Sequence, residues 1–149
     1  MLKEILTEPL IAVNFLARNR EEAVRKSGEL LVSSNLATEA YTEAMLENVE
    51  VNGTYIVIAP GIAMPHARSE KGSLGVGFSI VTLAEPVAFG HPANDPVRIV
   101  IGFCAVDHQT HLKALTDVMK ILSDEESLSA ILAASDPSEI MGIVKRGNT

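Results

Sequence analysis

Three apolar runs, each of strand length, are separated by turn residues and by segments with helical spacing. The runs are Tyr55–Ile58, Val76–Leu83 and Val97–Ala105, and their β-branched residues predict buried strands. The third run is followed by apolar residues at helical spacing, which predicts an amphipathic helix. These are Leu112, Leu115, Val118, Met119 and Leu122. Strands interleaved with helices favour an α/β fold in which helices cover a central sheet.

The remaining elements are predicted from capping residues and apolar spacing. Asn19 and Thr38 are expected to be N-caps, and Asp136-Pro137 is a third helix start. The predicted elements are a short helix near Lys3–Thr7, a strand at Ile11–Phe15, and helices from Asn19 to about Val32, from Thr38 to about Val49, at Glu125–Ala134 and at Pro137–Lys145. No repeat or linker is visible, so the 149 residues are expected to form one domain.

Composition excludes several classes of function. A net charge of −7 argues against non-specific binding to nucleic acid or to an anionic membrane. The single cysteine, Cys104, rules out an internal disulfide, and its apolar neighbours predict a buried side chain and not a reactive thiol. The N-terminus lacks a signal-peptide pattern, and no apolar run reaches the roughly 18 residues of a membrane span. We therefore expect a cytoplasmic, soluble chain.

The segment from Ala59 to Arg68 holds one histidine among apolar residues, proline and glycine. Pro65 fixes its own φ and restricts Met64, so His66 should leave the loop in a restricted direction. Gly61 permits a turn that other residues would strain. A histidine held in a strand–loop–strand unit is a candidate for chemistry. The alternative is a histidine that only satisfies hydrogen bonds at a strand end.

His111 is the second candidate, in the sequence Asp107-His108-Gln109-Thr110-His111-Leu112. The apolar spacing places it on the core-facing side of the first turn of its helix, at a sheet end where ligand sites of α/β proteins concentrate. The helix start also offers backbone N–H groups to an anion. Two alternatives stay open. His111 or His108 satisfies local backbone groups, or both join His66 in a zinc site.

The loop at Gly90-His91-Pro92 and Asn94-Asp95-Pro96 is polar and rich in turn residues. We interpret it as a surface turn that Asp95 braces or caps. The alternative is a rim of the site that contacts partners.

Gly61-Ile62-Ala63-Met64-Pro65-His66 resembles the active-site signature of the mannitol/fructose-type (type 2) enzyme IIA of the bacterial phosphoenolpyruvate-dependent sugar phosphotransferase system. His111-Leu112 resembles the second active-site histidine of that family. The resemblance covers essentially the whole chain and implies a central mixed sheet flanked by helices, with residues 1–149 as a single domain. The stretches Tyr55–Arg68 and Phe89–Val97 look most like the ascorbate-type branch.

This resemblance implies a phosphotransferase in which His66 accepts a phosphoryl group and His111 stabilises it. Phospho-HPr is the implied donor, a cysteine of enzyme IIB the acceptor, and the membrane component IIC an indirect partner. No metal, nucleotide or other cofactor is implied. The alternative is a regulatory module of the same fold that signals through its phosphorylation state. A homodimer also stays open.

One departure from the family concerns an arginine that the mannitol branch carries shortly before the signature. The comparable stretch, Met45 to Glu50, has none, and Asn48 stands nearest that position. Arg68, two residues past His66, is the candidate to bind the phosphoryl group instead, because a guanidinium makes paired hydrogen bonds to phosphate oxygens. The alternative for Arg68 is a solvated surface charge.

Overall fold

A computed structural model describes residues 5–147 of the chain. It has one five-stranded sheet with the strand order β1-β4-β5-β3-β2. The strands are β1 (Ile11–Phe15), β2 (Val57–Ala59), β3 (Ile62–Ala63), β4 (Gly77–Val87) and β5 (Val97–Cys104). The pairs β1/β4 and β3/β5 are parallel, whereas β4/β5 and β2/β3 are antiparallel. The predicted α/β fold with a mixed central sheet is confirmed.

Helices cover both faces of this sheet. They are α1 (Arg20–Ser33), α2 (Glu39–Asn52), α3 (His108–Leu122), α4 (Glu125–Ala133) and α5 (Pro137–Gly147). Ser79 Oγ donates a hydrogen bond to the Ser27 carbonyl (2.8 Å), so this face of β4 meets α1. Because side chains alternate along a strand, Phe78 and Ile80 face the other way, where they pack with residues of α3, α4 and α5. No helix within residues 5–147 has the length and apolar character needed to cross a membrane.

Capping residues place the helix starts where the sequence predicts them. Asn19 accepts a hydrogen bond from the Glu22 N–H (2.9 Å), and Asp136 accepts one from the Ser138 N–H (2.8 Å). Thr38 occupies the N-cap position of α2. The helix predicted near Lys3–Thr7 falls partly outside the described residues, and a 3₁₀ turn follows it at Glu8–Leu10.

The prediction for Tyr55–Ile58 is wrong in its first half. A 3₁₀ helix spans Gly53–Ile56, the strand begins only at Val57, and Tyr55 is half exposed instead of buried. The two-residue strand β3 is not predicted either. Both errors have one cause: this edge of the sheet is irregular and short, so it carries no alternation long enough to detect.

Candidate active site

A cavity of about 570 Å³ opens where the C-terminal end of α2, the loop after β3 and the start of α3 meet. It brings together the three site residues that the sequence predicts. The lining includes His66, His111 and Arg68, joined by Asn48, Tyr55 and Asp107.

Backbone hydrogen bonds hold the loop that carries His66 in place. Gly61 turns the chain at a φ of +76°, in the left-handed region that its sequence position predicts. Its N–H donates to the Asn94 carbonyl (2.9 Å). Beyond β3, the Phe103 N–H of β5 donates to the Pro65 carbonyl (3.2 Å). The residue before His66 is thus tied to the central sheet, which limits the directions that the imidazole can take.

Tyr41 of α2 secures the other side of the same loop. Its hydroxyl donates to the Phe103 carbonyl (2.7 Å) and accepts from the Ala67 N–H (3.1 Å). Burial raises the pKa of Tyr41 to about 12, so the hydroxyl keeps its proton at neutral pH. His66 is therefore held between a residue bonded to β5 and a residue bonded to α2.

The tautomer of His66 follows from its hydrogen bond. Nδ1 lies 2.9 Å from the Met64 carbonyl oxygen. A carbonyl only accepts, so in the neutral ring Nδ1 carries the proton and Nε2 keeps a lone pair. Nε2 lies 3.5 Å from the Tyr55 hydroxyl, on the cavity side. The arrangement presents an unprotonated nitrogen to whatever enters the cavity.

His111 lies beside His66, on the core-facing side of the first turn of α3. Its ring centroid is 4.6 Å from that of Phe103 and 6.4 Å from that of His66. Leu112, predicted in the buried stripe of the same helix, is instead 49% exposed. It follows His111 by about 100° around the helix, which turns its side chain away from the sheet and toward solvent.

The start of α3 offers fewer free donors than the sequence suggests. The Asp107 carboxylate accepts from the Thr110 N–H (2.8 Å) and caps the helix. That donor is therefore occupied. A carboxylate at the edge of the cavity also opposes part of the positive field of the helix start.

Arg68 lies at the mouth of the cavity, with 82% of its side chain exposed. Its Nε is 3.1 Å from Glu70 Oε1. The guanidinium is thus engaged in a surface ion pair.

Asn48 and Tyr55 form a hydrogen-bonded pair next to His66 that the sequence analysis does not assign to the site. Asn48 Nδ2 donates to the His66 carbonyl (3.0 Å) and lies 2.6 Å from the Tyr55 hydroxyl oxygen. Asn52 Nδ2 donates in turn to Asn48 Oδ1 (2.6 Å). The signal in the sequence was two asparagines one helical turn apart, followed closely by a tyrosine.

The loop at residues 90–96 is a braced turn, as predicted. His91 Nδ1 accepts from the N–H groups of Ala93 and Asn94 (3.0 and 2.9 Å). Asp95 accepts from the Gly90 N–H (2.7 Å).

The zinc alternative gains no support from the geometry. Within the part of the chain that the structure describes, no three His, Cys, Asp or Glu side chains cluster as metal ligands would. The side chain of His108 lies outside that description.

Comparison with known proteins identifies relatives over nearly the whole chain. The family model described as "Phosphoenolpyruvate-dependent sugar phosphotransferase system, EIIA 2" matches residues 4–147. The ascorbate-specific PTS system EIIA component of Escherichia coli K12 is 40% identical over 133 residues, which cover 89% of this chain and 86% of that protein.

Solved structures share the fold. The mannitol-specific cryptic phosphotransferase enzyme IIA of Escherichia coli is 36% identical with a TM-score of 0.86, covering 97% of this chain and 98% of that one. Enzyme IIA of the E. coli mannitol system, solved in complex with phosphorylated enzyme IIB, is 26% identical with a TM-score of 0.83, covering 95% and 97%. This chain therefore belongs to the EIIA 2 family of the phosphoenolpyruvate-dependent sugar phosphotransferase system.

Proposed function

We propose that this chain accepts a phosphoryl group from phospho-HPr on Nε2 of His66 and passes it to a cysteine of an enzyme IIB. The observation that carries the proposal is the 2.9 Å contact between His66 Nδ1 and the Met64 carbonyl, which leaves the Nε2 lone pair available for attack. Membership of the phosphotransferase family supplies the reaction class.

The transfer step needs no cofactor, because the bond that forms to His66 replaces the bond to the donor. The Nε2 lone pair forms a bond to phosphorus while the bond between phosphorus and the donor breaks, and that electron pair leaves with the donor. The His66 ring becomes positive, and the Met64 carbonyl stabilises the proton that stays on Nδ1. A positively charged ring is a good leaving group, which favours onward transfer to a thiolate.

His111 and Arg68 are the groups that we assign to phosphoryl stabilisation. The ring of His111, 6.4 Å from that of His66, is close enough for a ring N–H to reach a phosphoryl oxygen. Arg68 reaches the group by leaving Glu70, since an exposed ion pair contributes only about 0–1 kcal/mol.

The rim of the cavity suits protein partners. Exposed apolar side chains are common on docking surfaces. Here they belong to Val51, which lines the cavity, and to Val106 and Leu112, which are next to lining residues in the sequence. The complex of the mannitol enzyme IIA with phosphorylated enzyme IIB supports an enzyme IIB as acceptor. With HPr as donor, enzyme IIB as acceptor and the membrane component IIC as an indirect partner, we place the reaction in the cytoplasm.

Ascorbate is the sugar substrate that we assign to the system. The support is the 40% identity to the ascorbate-specific component of Escherichia coli. We also assign residues 1–149 to a single domain, supported by the match over residues 4–147 and by one continuous hydrophobic core. Transfer from the phosphorylated chain to ascorbate-type and mannitol-type enzyme IIB, compared side by side, tests the sugar assignment.

The test of the function is phosphorylation by phosphoenolpyruvate, enzyme I and HPr, followed by intact mass. We expect the wild type to gain one acid-labile phosphoryl group and His66→Ala to gain none. His111→Ala should gain the group slowly or lose it faster. His91→Ala is the matched control, because His91 braces a turn and does not line the cavity. An unmodified wild type, or normal modification of His66→Ala, would overturn the proposal.

A further inference from the structure

We propose that the Tyr55 hydroxyl donates a hydrogen bond to the phosphoryl group on His66, and that Asn48 points this hydroxyl in the required direction. This inference rests on the proposed function, because it names a further group for the same phosphoryl site. Tyr55 would be a catalytic residue, since its hydroxyl meets the reacting group, and Asn48 a positioning residue.

The hydrogen bonds of the Asn48 amide determine the direction of the Tyr55 hydroxyl proton. The His66 carbonyl only accepts, so Asn48 must present its NH₂ group to it (3.0 Å). The same nitrogen lies 2.6 Å from the Tyr55 oxygen. That oxygen therefore accepts from Asn48, and its own proton is left to donate elsewhere.

Asn52 reinforces this orientation of the Asn48 amide. Its Nδ2 donates to Asn48 Oδ1 (2.6 Å), so both ends of that amide are fixed. The donors form a chain from Asn52 through Asn48 to Tyr55.

The nearest acceptor for the Tyr55 hydroxyl proton is the lone pair of His66 Nε2. The distance of 3.5 Å is long for an O–H···N hydrogen bond, so the hydroxyl leaves the lone pair of the free protein largely available. A phosphoryl group on Nε2 brings three charged oxygens into this space. Tyr55 is 50% exposed, so a small rotation of its ring accommodates them.

This geometry stabilises the phosphorylated state more than the free state. Interactions that strengthen as the reaction proceeds favour transfer, whereas equal binding of both states does not. The hydroxyl should therefore shift the equilibrium of transfer from HPr toward this chain and slow hydrolysis of the phosphohistidine.

The experiment compares wild type with Tyr55→Phe, with Ile58→Ala as the control. Ile58 is an exposed apolar residue three positions further along the chain, and it does not line the cavity. Two quantities are measured: the equilibrium constant for transfer from phospho-HPr, and the hydrolysis half-life of the isolated phosphoprotein. The half-life involves no partner, so altered docking leaves it unchanged. We expect Tyr55→Phe to lower both by about tenfold, the size of one lost hydrogen bond to a charged group, and Ile58→Ala to lower neither.

A second variant tests the direction of the donor chain. In Asn48→Ala the Tyr55 oxygen loses the N–H group that orients its proton, and no charge is added beside the phosphoryl group. We expect a half-life between those of wild type and Tyr55→Phe, and no further shortening when Asn48→Ala is added to Tyr55→Phe. A double variant with a half-life well below that of Tyr55→Phe would contradict the positioning role of Asn48.

The results separate this inference from the function on which it rests. A wild type phosphorylated on His66, together with an unchanged equilibrium constant and half-life in Tyr55→Phe, would overturn the inference alone. A wild type that is never phosphorylated would overturn the proposed function and the inference with it.

Discussion

Single atoms decide how His66 is presented, and the hydroxyl of Tyr41 is the clearest case. Tyr41→Phe leaves the Ala67 N–H and the Phe103 carbonyl without the hydroxyl that now pairs with them. We expect the free energy of unfolding to fall by about 1–3 kcal/mol, as measured by urea denaturation.

Tyr55→Phe serves as the control for that measurement. Its hydroxyl is at a half-exposed position, so we expect a stability within about 0.5 kcal/mol of wild type. Equal losses in the two variants would contradict the anchoring role of Tyr41.

The buried thiol of Cys104 makes stability depend on alkaline pH. Burial raises its pKa from 9.0 to about 11, so the folded chain keeps the proton where the unfolded chain loses it. The stability that the protonated buried thiol contributes is fully present below pH 9.0, and it is lost as pH rises through about 11. Between about pH 8 and about pH 10 we expect a loss of about 1–2 kcal/mol from this group.

Cys104→Ala tests whether the Cys104 thiol causes this loss. The quantity to compare is the slope of the free energy of unfolding against pH, and not the free energy at any one pH. The variant should lose less stability than wild type over the same range of pH. Tyr41, whose pKa burial raises to about 12, is present in both proteins, so its own titration contributes to both slopes. Parallel slopes would contradict the account.

At the scale of elements, a close contact between α1 and α2 sets the position of the helix that carries Asn48. A Cβ on Gly28 would lie 2.7 Å from Thr42 Cγ2 and 3.0 Å from Thr42 Cβ, on a side chain that branches at Cβ and cannot easily turn away. Gly28→Ala should therefore destabilise by about 1–3 kcal/mol, more than the gain of about 1 kcal/mol in helix propensity.

Thr42→Ala should largely rescue this variant, because it removes the two closest atoms, Cγ2 and Oγ1, each 2.7 Å from the added Cβ. Its cost is small, since Thr42 Oγ1 has no hydrogen-bond partner among the described residues. Unfolding of both single variants and the double variant forms a thermodynamic cycle. A Gly28→Ala protein more stable than wild type would show that the helices have room to separate.

Elements with long periodic patterns could be predicted from the sequence, and those at the irregular edge of the sheet could not. The spacing from Leu112 to Leu122 predicts α3, and the cap at Asn19 predicts α1. At Tyr55, an apolar run suggested a strand, but the 3₁₀ turn at Gly53–Ile56 exposes the tyrosine. Only tertiary contacts decide between a strand and a 3₁₀ turn at this position. The local apolar pattern therefore predicts Tyr55 in the core and not in the site.

At the scale of the whole molecule, the site joins segments that are far apart in sequence. The loop motif and the second histidine identify two of its members. The contact of Tyr41 with Phe103, separated by 62 positions, and that of Asn48 with His66, separated by 18, depend on the packing of α2 against the sheet. No local pattern encodes those distances, so the anchoring groups became visible only in the folded chain.

The central claim is that the fold presents Nε2 of His66, with Nδ1 protonated, to a phosphoryl donor. The most direct test is NMR of the phosphorylated chain labelled with ¹⁵N at histidine, which identifies the residue and the ring nitrogen that is bonded to phosphorus. We predict phosphorus on Nε2 of His66 and a proton retained on Nδ1, beside the Met64 carbonyl. Phosphorus on Nδ1 of His66, or on another histidine, would contradict the account.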